Sequence, residues 1–502
     1  MTEGGPVGVQ AAEPADSLRP TAVVEPVRED PIVAASVGAI GGPMGRWAKI
    51  GASWWNPLRI VIALAAFGYI IGFWLDMGCR NELWKSPERY EHLCYTDIAP
   101  LYSLRGFADN LIPYLQSGGH QYLEYPVLTG AFMEVAALIT TGLDRMRGGV
   151  DTLTTFFDVN VVLLFIPLAI AVAATALTVR RRPWDAAMVA LAPTMILAAT
   201  VNWDLLPLAF GGVAILLWSS KHPFASGILL GLAVAAKFYP VLFLVGFLLL
   251  TIRAGTWRAF ARLVAGTAVA WLVVNVPVAL ANYEGWVTFY RFSSTRGVDF
   301  GSIWFAWTEV GLQGVSPELL NQVATGSFLA LCVGIGWVVL SAPRRPRLAS
   351  VLFLVIAAFV LTNKVYSPQY SLWLVPLAAM ARPRWRDFLI WQVGEVIYFA
   401  GIWWFLVGYG IEGTKGLTGQ QYAAATFVHV AATLYFAVMV IRDIYNPSKD
   451  PIRSDGFGAD EDDPGGGVFD RAPDRITLGR GPHQTATSSA EPPHEADLLP
   501  QG

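Results

Sequence analysis

Three polar breaks in otherwise apolar sequence hold the side chains best suited to chemistry: Asn202-Trp-Asp204, Ala236-Lys-Phe-Tyr-Pro240 and Asn363-Lys-Val-Tyr-Ser-Pro-Gln-Tyr370. An ionisable group left at mid-membrane costs about 2.5–3.5 kcal/mol, so it normally faces a polar cavity or an opposite charge. A fourth group lies in the polar stretch after the first apolar segment. It runs Cys94-Tyr-Thr-Asp97-Ile, then Arg105 and Asp109, then Leu123-Glu-Tyr-Pro-Val-Leu128. A carboxylate beside a membrane face can take the proton from an attacking hydroxyl, and such general-base help contributes about 10²–10⁴-fold. Fixed cations can stabilise a departing phosphate, and Lys237, Lys364, Arg291 and Arg296 are the candidates. Each has a plain structural alternative. Asp97 can cap a helix starting near Pro100, the lysines can snorkel to an interface, and the arginines can be solvated loop charges. Asp204 can orient a lysine, bind an acceptor or cap the next helix.

The elements that must position these groups are membrane helices. Of 502 residues 54% are hydrophobic and 15% charged, with mean hydropathy +0.47. Soluble domains carry about 25% charged residues. Apolar stretches fall near 57–75, 125–143, 157–179, 185–200, 204–219, 223–236, 238–250, 262–282, 321–341, 348–362, 369–381, 388–410 and 421–441. Several are shorter than the roughly 20 residues of a full crossing, which is tolerated where they line protein or a polar cavity. Arginines at 180–182, 253, 258, 262, 344, 345, 347, 382, 384, 386 and 442 mark cytoplasmic connections by the positive-inside rule. The loop at 76–124 and all the polar breaks then face the other side. Thirteen crossings would separate two flanks that both look cytoplasmic. The weakest candidate is 125–143, which either dips into the membrane without crossing or marks a miscount elsewhere.

Residues 1–45 and 446–502 are polar, rich in Pro, Gly, Ser or Asp, and are expected to form disordered cytoplasmic tails around a membrane domain at 46–445. No cleavable leader is expected ahead of the first span. Cys79 and Cys94 share the first external loop and can pair if it faces an oxidising compartment; two free thiols is the equal alternative. No nucleotide-binding Gly-rich loop, CxxC pair or internal repeat is visible, which argues against an ATP-driven pump. No nucleic-acid partner and no cofactor is expected.

Taken in order, Tyr95-Thr-Asp97-Ile, Glu124-Tyr-Pro-Val-Leu128, Asn202-Trp-Asp204, Lys237-Phe-Tyr-Pro240 and Lys364-Val-Tyr-Ser-Pro-Gln-Tyr370 resemble glycosyltransferase family 87 over about residues 57–441. The resemblance implies an all-α GT-C-like membrane protein with about 12 transmembrane helices. It implies a hexosyltransferase, with mannose the favoured sugar, drawing on a polyprenyl-phosphate donor at the extracytoplasmic face of the cytoplasmic membrane. The acceptor would be a glycolipid, lipoglycan or other envelope molecule. Asp97 would be the base of an inverting displacement. Lys237, Tyr239, Lys364 and Gln369 would line the lipid-phosphate end, with Arg291 as a further donor-side cation. Asp109, Glu124, Tyr125, Asn202, Asp204 and Tyr366 would serve the acceptor or support the site. Where some related enzymes have Asp-x-Asp, this chain has Asp97-Ile-Ala99, so no metal site of that type is expected. A transporter or flippase of a lipid-linked saccharide is the rival reading, since broken helices with buried charge suit it too.

Overall fold

Hydrogen-bonding physics dictates the architecture: in lipid every backbone amide must find a partner within the chain, and helices do this segment by segment. A computed structural model describes residues 30–33, 35, 56–149, 151–409, 415–455 and 462–478. Among these, every regular element is a helix. The N-terminal tail expected at 1–45 lies outside the described residues except for 30–33 and 35, as do Arg46, Lys49 and the stretch 479–502.

The principal helices are α1 (Pro57–Asn81), α2 (Val127–Arg147), α3 (Thr152–Thr178), α4 (Leu205–Ser219), α5 (Pro223–Ala236), α6 (Phe243–Ala254), α7 (Trp257–Ala281), α8 (Tyr283–Thr295), α9 (Pro317–Ser341), α10 (Leu348–Thr362), α11 (Ser371–Ala381), α12 (Trp385–Gly408) and α13 (Gly419–Tyr445). Seven of them, α1, α2, α3, α7, α9, α12 and α13, are long and apolar enough to cross a membrane, and shorter apolar helices run between them. The protein is a multi-pass membrane protein. Local chemistry sets the helix starts. Asn56 accepts from the Arg59 amide ahead of Pro57, Asp151 accepts from Leu153, and Thr418 forms a reciprocal capping box with Gln421.

The parity problem resolves at two places. Helix α2 has both ends on the face that carries the polar breaks. Near its start the Thr129 hydroxyl donates to the Ala236 carbonyl (2.6 Å), and near its end Thr141 donates to Asn110 (3.0 Å). It therefore lies along that face without crossing. Its buried residues, among them Val127, Gly130, Met133, Ala137 and Thr140, form one stripe, while Val135, Leu138 and Met146 are exposed. The stretch 185–200 does cross, but in pieces: a turn at Pro183–Ala186, then Ala187–Ala190 and Pro193–Ala198. This broken segment is covered by protein, and Gln392 accepts from both the amide and the hydroxyl of Thr194 (3.0 and 2.8 Å). With α2 in plane, the thirteen apolar stretches leave an even number of candidate passes among the described residues, and the two flanks fall on one face.

Packing is tightest between α5 and α7. A Cβ on Gly227 would lie 2.1 Å from the Leu263 carbonyl oxygen, and one on Gly231 2.4 Å from that of Thr267. Only glycine lets these backbones touch, the small-residue solution for helices in lipid. On the face opposite the polar breaks, the tail expected to be structureless from 446 is ordered where described. Phe469 is buried against Trp218 and Phe247, and the Trp218 indole donates to the Gly466 carbonyl (2.8 Å). Enough apolar and ionic surface exists there to offset chain entropy, which composition alone does not reveal.

Candidate active site

The disulfide Cys79–Cys94 ties the end of α1 to the segment carrying Asp97. That segment is then stitched to the polar break at 200–204. The Thr96 hydroxyl donates to the Thr200 carbonyl (2.7 Å) and the Asp97 amide to the Val201 carbonyl (2.7 Å). Asp97 occupies the cap position of the short helix Ile98–Leu104, yet its carboxylate makes no cap bond; Thr96 Oγ1 accepts from the Ile98 amide instead (3.1 Å). The capping alternative is thereby removed. Each carboxylate oxygen takes one phenol: Tyr95 donates to Oδ1 (2.8 Å) and Tyr125 to Oδ2 (3.0 Å). Burial pushes this carboxyl above the usual aspartate range, against the pull of the two phenols and of Lys237.

Lys237 ends α5 with an extended backbone, which frees the Ala236 carbonyl that Thr129 then satisfies. Its ammonium lies 3.0 Å from Asp204 Oδ1 and over the rings of Tyr125 (5.2 Å) and Tyr370 (5.8 Å). Asp204 makes no side-chain cap bond. Of its three readings, the geometry realises the orientation of a lysine.

These groups open into a cavity of about 540 Å³. Asp97, Glu124, Tyr125, Asn202, Lys237, Tyr366 and Gln369 all line it, so seven expected positions from five distant stretches converge. Five others do not form its wall. Asp204 sits behind Lys237, and Tyr239 is buried in a stack on Trp373 with centroids 4.1 Å apart. Lys364 turns to the carbonyls of Ser294 and Arg296, holding the loop that bears Arg296. Arg291 is more than half exposed on α8 and pairs with Glu284, and Asp109 is exposed beside His120 (2.8 Å).

Further residues complete the wall, among them Arg296, one of the cations expected for a departing phosphate. Arg105 grips Glu124 through two bonds of 2.5 and 2.7 Å, and Arg296 pairs with Asp299. Nothing in a 19-residue separation announces the first pair. Trp403 stacks on Tyr95 (4.6 Å), which stacks on Tyr90 (5.8 Å), making an aromatic wall beside Asp97. Its indole N–H and the Asn202 amide have no hydrogen-bond partner in the protein. Tyr366 is fixed from behind: its hydroxyl donates to Glu395 (2.7 Å), which also receives Trp391, His429 and Thr433. Gly301, at φ +76°, lets the loop after Asp299 pass within van der Waals reach of the Tyr366 carbonyl. Among the described residues no cluster of three or more His, Cys, Asp or Glu side chains is placed to hold a metal ion.

A buried carboxylate, a phenol-lined wall and paired cations around one polar chamber suit group transfer to a hydroxyl. Residues 126–363 match the model of glycosyltransferase family 87. Over that span, a little under half of its length, the chain is similar to the glycosyltransferases of family 87. The match takes in Asn202, Asp204, Lys237, Arg291 and Arg296; Lys364 is the first residue after it, and Asp97 lies well before its start at 126. The chain is also 28% identical over 156 residues to GPI mannosyltransferase 1 of Eremothecium gossypii, which is 30% of this chain and 39% of that protein. The alignment thus spans about two fifths of the length of that relative.

Proposed function

We propose that this protein transfers a hexose, mannose by preference, from a polyprenyl-phosphate sugar to a hydroxyl of a cell-envelope acceptor. The acceptor oxygen attacks the anomeric carbon while its proton passes to Asp97. The bond between that carbon and the phosphate oxygen breaks with its electron pair, and the polyprenyl phosphate departs. Attack from the side opposite the leaving group inverts the anomeric centre. Lys237 and Arg296 are the cavity cations suited to the phosphate, with Gln369 as a neutral donor beside them. Lys364 acts one step back, by fixing the backbone that carries Arg296.

The observation that carries the reading is the Asp97 carboxylate, held at both oxygens by Tyr95 and Tyr125 in a chamber whose wall also presents Lys237. The mannosyltransferase relative supports the choice of mannose. The extracytoplasmic placement draws support from the Cys79–Cys94 bond, since disulfides persist in oxidising compartments, and from the arginine-rich opposite face. The deciding experiment is in vitro transfer from a synthetic polyprenyl-phosphate mannose to membranes of a deletion strain, using purified wild type and Asp97→Asn. Product with inverted anomeric configuration from wild type and none from the folded variant is the expected result. Equal activity of the two would end the assignment of the base.

A further inference from the structure

On the face away from the cavity, the connections between helices carry the arginines that usually meet anionic headgroups. Here they are covered by residues 447–455 and 462–478, a strap of the chain's own C-terminal segment. Arg347, between α9 and α10, gives two bonds to Asp450 (2.7 and 2.9 Å) and two more to the carbonyls of Met380 and Ala381. Arg181, after α3, reaches Asp455 (2.9 Å) and the Ile452 carbonyl. Arg253, at the end of α6, reaches Asp474 (2.7 Å), with Arg345 3.6 Å from the same carboxylate. Arg344 lies 3.5 Å from Asp462, and Asp463 accepts from the first amide of α10 (2.8 Å). Three separate inter-helix connections are therefore bound by one acidic run.

The guanidinium groups sit beside the ends of α3, α6 and α10, and Arg is suited to paired bonds with phosphate as with carboxylate. Basic groups at this level gain attraction from anionic lipid, roughly fivefold in affinity per residue. We propose that this arginine-lined surface is a binding surface for anionic phospholipid headgroups, occupied in the present state by the strap, so that strap and headgroup compete for it. The proposal is independent of the reaction assigned to the opposite face.

The test measures hydrogen exchange of residues 462–478 in the full-length protein held in nanodiscs. One set contains phosphatidylcholine alone and the other an equal mixture with phosphatidylglycerol. Wild type and Asp462→Asn/Asp474→Asn are compared; the substituted carboxylates are partly exposed but their partners Arg453 and Arg253 are buried, so folding of the double variant is checked first by its melting temperature. Phosphatidylglycerol should speed exchange of the strap in wild type, and in the double variant by about fivefold or more beyond wild type. Exchange that ignores phosphatidylglycerol in both proteins would overturn the proposal. So would acceleration by inorganic phosphate equal to that by the lipid. Should the double variant fail to fold, the wild-type comparison between the two nanodisc sets decides alone.

Discussion

Asp97 and Asp450 are both withdrawn from bulk water, and they are held in opposite ways. Asp97 receives two neutral phenols, and burial leaves its carboxyl above the usual aspartate range. At Asp450 burial also pushes upward, but the Arg347 guanidinium at 2.7 Å outweighs it and holds the carboxyl below that range. A phenol supports a carboxylate without extinguishing its basicity, whereas a bidentate guanidinium fixes the charge and removes it from proton chemistry. One arrangement suits a base, the other a clamp. On the proposed function the same residue type serves reaction on one face and cohesion on the other, and the partner decides which.

That contrast can be broken experimentally. The largest effect is expected from Asp97→Asn, which keeps the shape of the site but cannot take a proton: transfer should fall by about 10²–10⁴-fold with the melting temperature unchanged. Asp450→Asn should behave in the reverse sense. It leaves Arg347 buried without its counter-charge, a loss of about 3–5 kcal/mol visible in thermal unfolding, with transfer per folded molecule preserved.

Next comes pH. The base must be ionised, and its carboxyl lies above the usual range, so the transfer rate of wild type should rise with pH along a limb displaced upward from that of an ordinary aspartate. Tyr125→Phe deletes a hydrogen bond to the charged form, worth about 1.5–3 kcal/mol. The limb should then move to still higher pH, and a limb moving downward would contradict the phenol's role. The smallest effect is expected from Arg291→Ala. Its partner Glu284 and the arginine itself are each more than half exposed and away from the cavity, so activity should change less than about twofold.

Much of this layout was legible in sequence, because the signals were chemical. The apolar stretches became helices nearly where expected, and the polar breaks at 202–204, 236–240 and 363–370 do converge with Asp97. The resemblance to family 87 is matched by the family model over 126–363. What escaped depended on three-dimensional partnership. Amphipathic period alone could not say that α2 lies in plane, since an apolar outer face suits either a crossing or an interfacial helix; the bonds of Thr129 and Thr141 decide it. Arg291 and Arg296 are equivalent as letters, yet five residues of helix turn one to solvent and the other to the cavity. Lys364 looked like a ligand for phosphate and is a brace. Asp450 and Asp455 read as part of a structureless tail because their arginine partners, Arg347 and Arg181, lie more than a hundred positions away.

The glycine contact between α5 and α7 has a bearing on how firmly the chamber is walled. With the two backbones touching at Gly227 and Gly231, the rod that ends in Lys237 has no slack to swing outward. Across the chamber the packing is looser: α8 buries little more than Gly285, and the loop at 296–300 hangs on the Lys364 ammonium. The chamber thus has one closely packed wall and one loosely packed wall.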